Sequence, residues 1–188
     1  MNKSTISLLG GFCLLIVGAL LVWYFLAIQN KAQPIDPTPK ITVTNFEECV
    51  AAKYPVQESY PPRCTGPDGR TFTQDIGNEL SKTNLIKIDM PRPVSKISSP
   101  LIVTGEARGT WYFEASFPVE LQDANGNVLA QMPAQAQGEW MTENFVPYKV
   151  TLTFAPQPAG SKGKLILHKD NPSGEPSRDD SLIVPVVF

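Results

Sequence analysis

One stretch restricts this chain more than any other. ISLLGGFCLLIVGALLVWYFLAI, Ile6 to Ile28, carries no charged residue. At about 1.5 Å per residue it is long enough to cross the roughly 30 Å hydrocarbon core of a bilayer as a helix. A cleaved signal peptide is the competing reading, but its apolar region is shorter and ends in a small-x-small cleavage site, and neither is evident. The expectation is an uncleaved single-pass anchor within residues 1–30, so that the protein contacts the cell membrane through this helix. Lys3 and the amino terminus then lie on the cytoplasmic side and the rest of the chain is extracytoplasmic. Trp23 and Tyr24 fit an interfacial aromatic belt at the far end. Ser7, Gly11 and Gly18 offer a smooth helix face for self-association, the route to a homo-oligomer. Cys13, early in the apolar run and without the small residues that precede a lipidated cysteine, reads as a small apolar side chain.

Composition narrows the function classes. The formal net charge is −2 with both signs interspersed, and no basic patch with interleaved aromatics appears, so nucleic acid is not an expected partner. His168 is the one histidine, which leaves a histidine-based zinc site without a ligand set. No cofactor or metal is expected. In KLILHKD, alternation puts His168 on the strand face shared with Ile166.

Residues 31–40 hold prolines in a short polar run and read as an extended, semi-rigid spacer. Residues 41–77 form a small segment in which Thr44 or Asn45 caps a short helix, with Glu47 or Glu48 three residues on and Phe46, Cys49 and Val50 on one face. Cys49 and Cys64 are the cysteines beyond the anchor. In the oxidising compartment that the anchor implies they are expected to pair. Closing such a loop stabilises by about 3 kcal/mol in the chain-entropy model, without which so short a segment buries too little surface to stay folded. GNELSKT reads as a second linker.

From residue 84 to 188 the pattern changes to LIKIDM, PLIVTGEA, WYFEASFPVELQD, NVLAQMPAQA, PYKVTLTF, KLILHKD and SLIVPVVF, separated by turn residues. Short strands at this spacing predict an all-β chain here, an Ig-like antiparallel β-sandwich. Asn125-Gly126 predicts a two-residue hairpin turn. A calcium loop is the alternative, and it lacks the distal bidentate glutamate. In WYFEASFPVELQD, Trp111, Phe113, Ala115, Phe117, Val119 and Leu121 alternate with the polar positions, and Pro118 predicts an edge or bulged strand because proline donates no ladder bond.

The sandwich also repeats a phrase. ARGTWYFE, 107–114, and AQGEWMTE, 136–143, both fit A-x-G-x-W-x-x-E. Gly109 and Gly138 are expected where a bulge or a close backbone approach excludes a β-carbon. The favoured reading has Trp111 and Trp140 covering the ends of the core. The alternative is a ligand surface on which Trp111 and Trp140 offer apolar faces and Glu114 and Glu143 offer acceptors.

The runs SSPLIVTGEARGTWYFEASFPVELQDANGNVL, AQGEWMTENFVPYKVTLTF and HKDNPSGEPSRDDSLIVPV resemble the Gmad2 immunoglobulin-like domain of bacterial spore-germination and sporulation-associated envelope proteins, over nearly all of residues 84–188. The resemblance implies an extracytoplasmic sandwich without enzymatic activity that binds or assembles at the cell envelope, with an unassigned polymer or protein as partner. CTGPDGRTFTQ is faintly similar to the hairpin of Kazal-type protease inhibitors, although those need several disulfides to hold a reactive loop. Protease inhibition is thus one alternative. The other is wall hydrolysis by a Glu114–Glu143 carboxylate pair, which requires a spacing that the sequence does not establish.

Overall fold

The computed structural model describes residues 21–25 and 42–188. Leu21 to Phe25 are helical. Most of the expected anchor, including Ser7, Gly11 and Gly18, and the spacer at 31–40 lie outside the described residues. Among the described residues no helix is long and apolar enough to cross a membrane. Residues 43–188 form one compact unit.

That unit begins with the small cysteine segment. α1, Phe46–Ala51, starts at Asn45, whose side chain accepts a hydrogen bond from Glu48 N at 2.8 Å. The Glu48 carboxylate reaches back to accept from Thr44 N and Thr44 Oγ1. These bonds, the backbone one foremost, hold its pKa below the usual carboxylate range. Three short antiparallel strands follow, β1 Val56–Gln57, β2 Arg63–Thr65 and β3 Thr71–Thr73. Cys49 and Cys64 form a disulfide with Cα atoms 6.1 Å apart. Both are fully buried and, with Val43, make a core of their own against Phe46, Tyr54 and Phe72. Val50, expected on the same face, is instead exposed.

GNELSKT is not a bare linker. It forms α2, Glu79–Lys82, held to the last strand, β10, Ser181–Val187. Between them come β4 Ile86–Met90, β5 Leu101–Arg108, β6 Ser116–Asp123, β7 Val128–Ala136, β8 Phe145–Leu152 and β9 Lys162–His168. All seven expected strands are present, antiparallel, in the order β10-β9-β6-β7-β8-β5-β4. The sheet is continuous through β7, which pairs β6 along most of its length and β8 at Gln135 and Ala136. One core of alternating inward residues runs through all seven strands, among them Val103, Phe117, Leu121, Leu165 and Val184, none measurably exposed.

β6 corrects one expectation and explains another. It is an inner strand between β7 and β9, not an edge. Pro118 faces Pro133 in β7, and the β6–β9 ladder starts one residue later at Val119. Ala136 N donates to Ala115 O, so alternation makes the Pro118–Pro133 pair a non-hydrogen-bonded one. Each missing N–H therefore points to where no ladder exists.

The β6–β7 connection is a hairpin, but not the two-residue form expected. Gly126 N donates to Asp123 O, Asp123 N to Asn127 O, and only Gly126 of the two turn residues has positive φ, +84°. The Asp123 carboxylate accepts from Asn127 Nδ2, Asn127 N and Asn125 N, each at 2.8 Å, which pulls its pKa down.

The outer edge of β10 is closed. Its outward residues are Ser181, Ile183, Pro185 and Val187. Ser181 N donates to Asp180 Oδ1 and Ile183 N to Asn78 Oδ1. Asn78 Nδ2 donates to Ser181 O, and Asn78 N to Ile183 O. Val94 N donates to Pro185 O, Ile97 N to Val187 O, and Val187 N to Ser95 O. Pro185 has no N–H, so every outward backbone group of the strand has a partner.

Candidate functional site

The first tryptophan phrase does not continue β6 as a strand. A 3-10 turn, Gly109–Trp111, follows β5, and a β-carbon on Gly109 would run into the carbonyls of Trp140 and Thr142. That is the close approach expected there, and it brings the second phrase against the first. Trp111 is 1% exposed, in the core, and its Nε1 has no hydrogen-bond partner. Tyr112 is also buried, donating from its hydroxyl to Val146 O at 2.7 Å. Its ring meets Phe117 edge-on, and Phe117 meets Tyr148 likewise. Burial pushes the hydroxyl pKa of both tyrosines up. Two consecutive buried aromatics rule out strand alternation here, and Phe113 faces out.

Phe113 and Ser116 then exchange both backbone hydrogen bonds around Glu114 and Ala115, at φ +50° and +62°. Left-handed backbone costs an L-residue roughly 1–2 kcal/mol, and tight hairpins usually spend Asn-Gly on these positions. The turn presents Glu114 to solvent. Asp170 lies close by, its N donating to Trp111 O at 3.0 Å. Burial and then the charge of Glu114 raise the Asp170 pKa.

The second phrase forms a loop between β7 and β8. Trp140 is half-buried and packs on the main core. Met141 N donates to Glu139 Oε1, Asn144 N to Thr142 Oγ1, and Gly109 N to Asn144 O. Arg108 ties the phrases together, donating from Nη1 to Glu143 O at 2.9 Å and from Nε to Asn84 O, with its guanidinium 4.3 Å from the Phe145 ring centre. Gly138 departs from expectation, because a β-carbon there would meet nothing closer than Val146 at 4.0 Å.

The structure thus brings the two phrases to one end of the sheet and gives their residues different roles. Trp111 is interior, Trp140 is half-exposed, and Glu114 and Glu143 are exposed. No hydrogen bond or ion pair joins the two glutamates among the described residues.

A polar cleft of about 580 Å³ lies beside this end, lined by His168, Asp170, Asp179, Asp180, Ser181 and Asn78 among others. No local pattern marks it, because strand register assembles it. His168 pairs with Ser181 across β9–β10, and Glu120 pairs with Ile166 across β6–β9, so Glu120 lies diagonally from His168, two residues out of the His168–Ser181 row. His168 Nε2 is 3.8 Å from Glu120 Oε2, and no hydrogen bond joins His168 to Ser181. Lys82 pairs with Asp180, and Asn171 Nδ2 donates to Asp179 Oδ1 at 2.7 Å. Among the described residues no three His, Cys, Asp or Glu side chains group as metal ligands.

Comparison with curated proteins and with solved structures finds no match. A family model does match, over residues 85–175: Gmad2, the immunoglobulin-like domain of bacterial spore germination. The matched residues run from β4 through β9 into the loop before β10, and they include both tryptophan phrases. This chain therefore carries, from residue 85 to 175, a Gmad2 immunoglobulin-like domain.

Proposed function

We propose that this chain is a non-catalytic, envelope-associated binding or assembly module, tethered by its apolar amino-terminal run as a single-pass membrane protein with its folded part outside the cytoplasm. The observation that carries the reading is the Gmad2 match over residues 85–175. Two features support it. The disulfide Cys49–Cys64 sits in the core of the small segment, and structural disulfides persist in oxidising compartments. The Ile6–Ile28 run has the length and composition of a membrane span.

The half-exposed Trp140 and the exposed Glu114 and Glu143, gathered at one end of the sheet, support a binding role. Protease shaving of intact cells tests the topology: the folded part is digested from outside, and protection of it in intact cells with digestion after lysis overturns the orientation. Retention of the purified protein on envelope material from the source cell, with release by excess free protein, tests the binding role. Absence of retention defeats it.

A further inference from the structure

We propose that the end of the sheet built from the two tryptophan phrases docks a cationic, partly apolar peptide segment of a partner protein, with Phe113, Trp140 and Met141 as apolar contacts and Glu114, Glu139 and Glu143 as the selecting charges. The inference rests on the binding role proposed above and names the chemistry of its occupant.

Apolar side chains exposed singly are ordinary. Here Phe113 is 42% and Met141 74% exposed, and Trp140 is half-exposed. They lie on two segments stitched together by Gly109 N to Asn144 O and by Ala136 N to Ala115 O. Methionine adapts its shape to a partner, and an indole supplies a large rigid face. The backbone around them is held at some cost, since Glu114 and Ala115 occupy left-handed positions.

Charge decides which partner fits. Glu114, Glu139 and Glu143 are all exposed, and Asp170 adds a fourth carboxylate next to Glu114. Of the cations at this end, Arg108 spends Nε and Nη1 on backbone carbonyls and stacks on Phe145, and Lys87, over the same ring, is paired with Glu106. Lys169 sits in the neighbouring cleft. The balance is negative around an apolar centre, and a cationic segment complements it. Recognition by adding a strand to β10 is blocked, because that edge has no free backbone group.

The test uses the full chain in zwitterionic nanodiscs, with empty discs as blank, and two octapeptides that alternate Lys with Val or Glu with Val. Trp140 fluorescence reports binding, and Trp140→Phe identifies its signal among the tryptophans. The Lys/Val peptide is expected to bind and the Glu/Val peptide not. Met141→Ser, and the triple variant Glu114→Gln, Glu139→Gln, Glu143→Gln, are each expected to weaken binding about tenfold. Met141→Ser and the triple variant change exposed side chains and are expected not to lower the thermal midpoint, and added salt weakens the wild-type complex. Equal binding of both peptides, binding of neither, preference for a glucosamine tetramer, or unchanged affinity in the variants overturns the inference. Retention of those same variants on envelope material while the peptide fails to bind sinks the docking inference and leaves the binding role standing.

Discussion

Glu79 and Tyr60 join the small disulfide segment to the sheet: the Tyr60 hydroxyl donates to one oxygen of the Glu79 carboxylate, and Arg92 pairs with the other at 2.8 Å. Arg92 also donates to the Tyr60 hydroxyl at 2.6 Å. Among the described residues Glu79 is the one buried charged side chain, so these contacts compensate its desolvation. Since the segment and the sheet have separate apolar cores, the polar triad is a principal connection between them.

Tyr60→Phe removes one of the two partners and leaves a carboxylate oxygen buried without a donor. The cost is expected to be about 1–3 kcal/mol, read as a lower urea midpoint and faster tryptic cleavage at Arg63 and Arg70. The wild-type contact also has an alkaline limit. Desolvation, and then the bond to Glu79, raise the Tyr60 pKa from 10.0 to about 12. A raised folded-state pKa gives stability that is complete below the unfolded value and lost as pH climbs through the folded one. Cleavage at Arg63 should therefore accelerate between pH 10.0 and about 12 in the wild type, and show no such step in Tyr60→Phe.

Asn78→Ala strips the β10 edge of two side-chain bonds, at 2.9 Å to Ser181 O and 2.7 Å from Ile183 N. An unpaired buried backbone donor costs about 1–3 kcal/mol. Amide exchange at Ile183 should quicken selectively while Val184, which pairs with β9, keeps its protection. Uniform acceleration along β10 would show that Asn78 acts on the whole fold instead.

The two tryptophans should separate cleanly in stability. Trp111→Ala opens a cavity in the core and is expected to cost about 3–5 kcal/mol. Trp111→Phe costs less, because Nε1 has no hydrogen bond to lose. Trp140→Ala, from a half-buried site, should cost about 1–2 kcal/mol. Urea titrations of the three variants check the order, and equal losses for Trp111 and Trp140 contradict it.

Asp170 is held against burial and against Glu114, both of which raise its pKa. Its contribution to stability is thus best below the ordinary carboxylate pKa and falls as pH rises through the raised value. Asp170→Asn should have a higher thermal midpoint than the wild type at neutral pH, and the gap should close below about pH 4. A midpoint difference constant across this range would mean that the substitution acts through packing.

Strand identity was legible because alternation and turn residues are local. Phe117, Val119 and Leu121 face the core as their spacing demands. Trp111 to Ala115 misled for a reason that is also local in form but tertiary in cause. Gly109 must pass close to the Trp140 carbonyl, and that contact starts a 3-10 turn where apolar alternation alone extends the strand. Pro118 suggested an edge because a sequence shows no register, and the inner position is tolerable because its pair with Pro133 is not a hydrogen-bonded one and the β9 ladder starts only at Val119. The disulfide could be expected from composition and compartment. The Tyr60–Glu79–Arg92 contact could not, since a tyrosine, a glutamate and an arginine at that spacing carry no pattern. The residues of the repeated phrase were visible, but not their division into an interior Trp111 and an outward Trp140.

The sealed flank of the final strand has a consequence for molecules held side by side. Neighbours crowded at high local density find no amide or carbonyl there on which to nucleate a shared ribbon, so close packing along this flank does not progress to fibrous fusion. Whatever clusters these molecules along it must work through side chains.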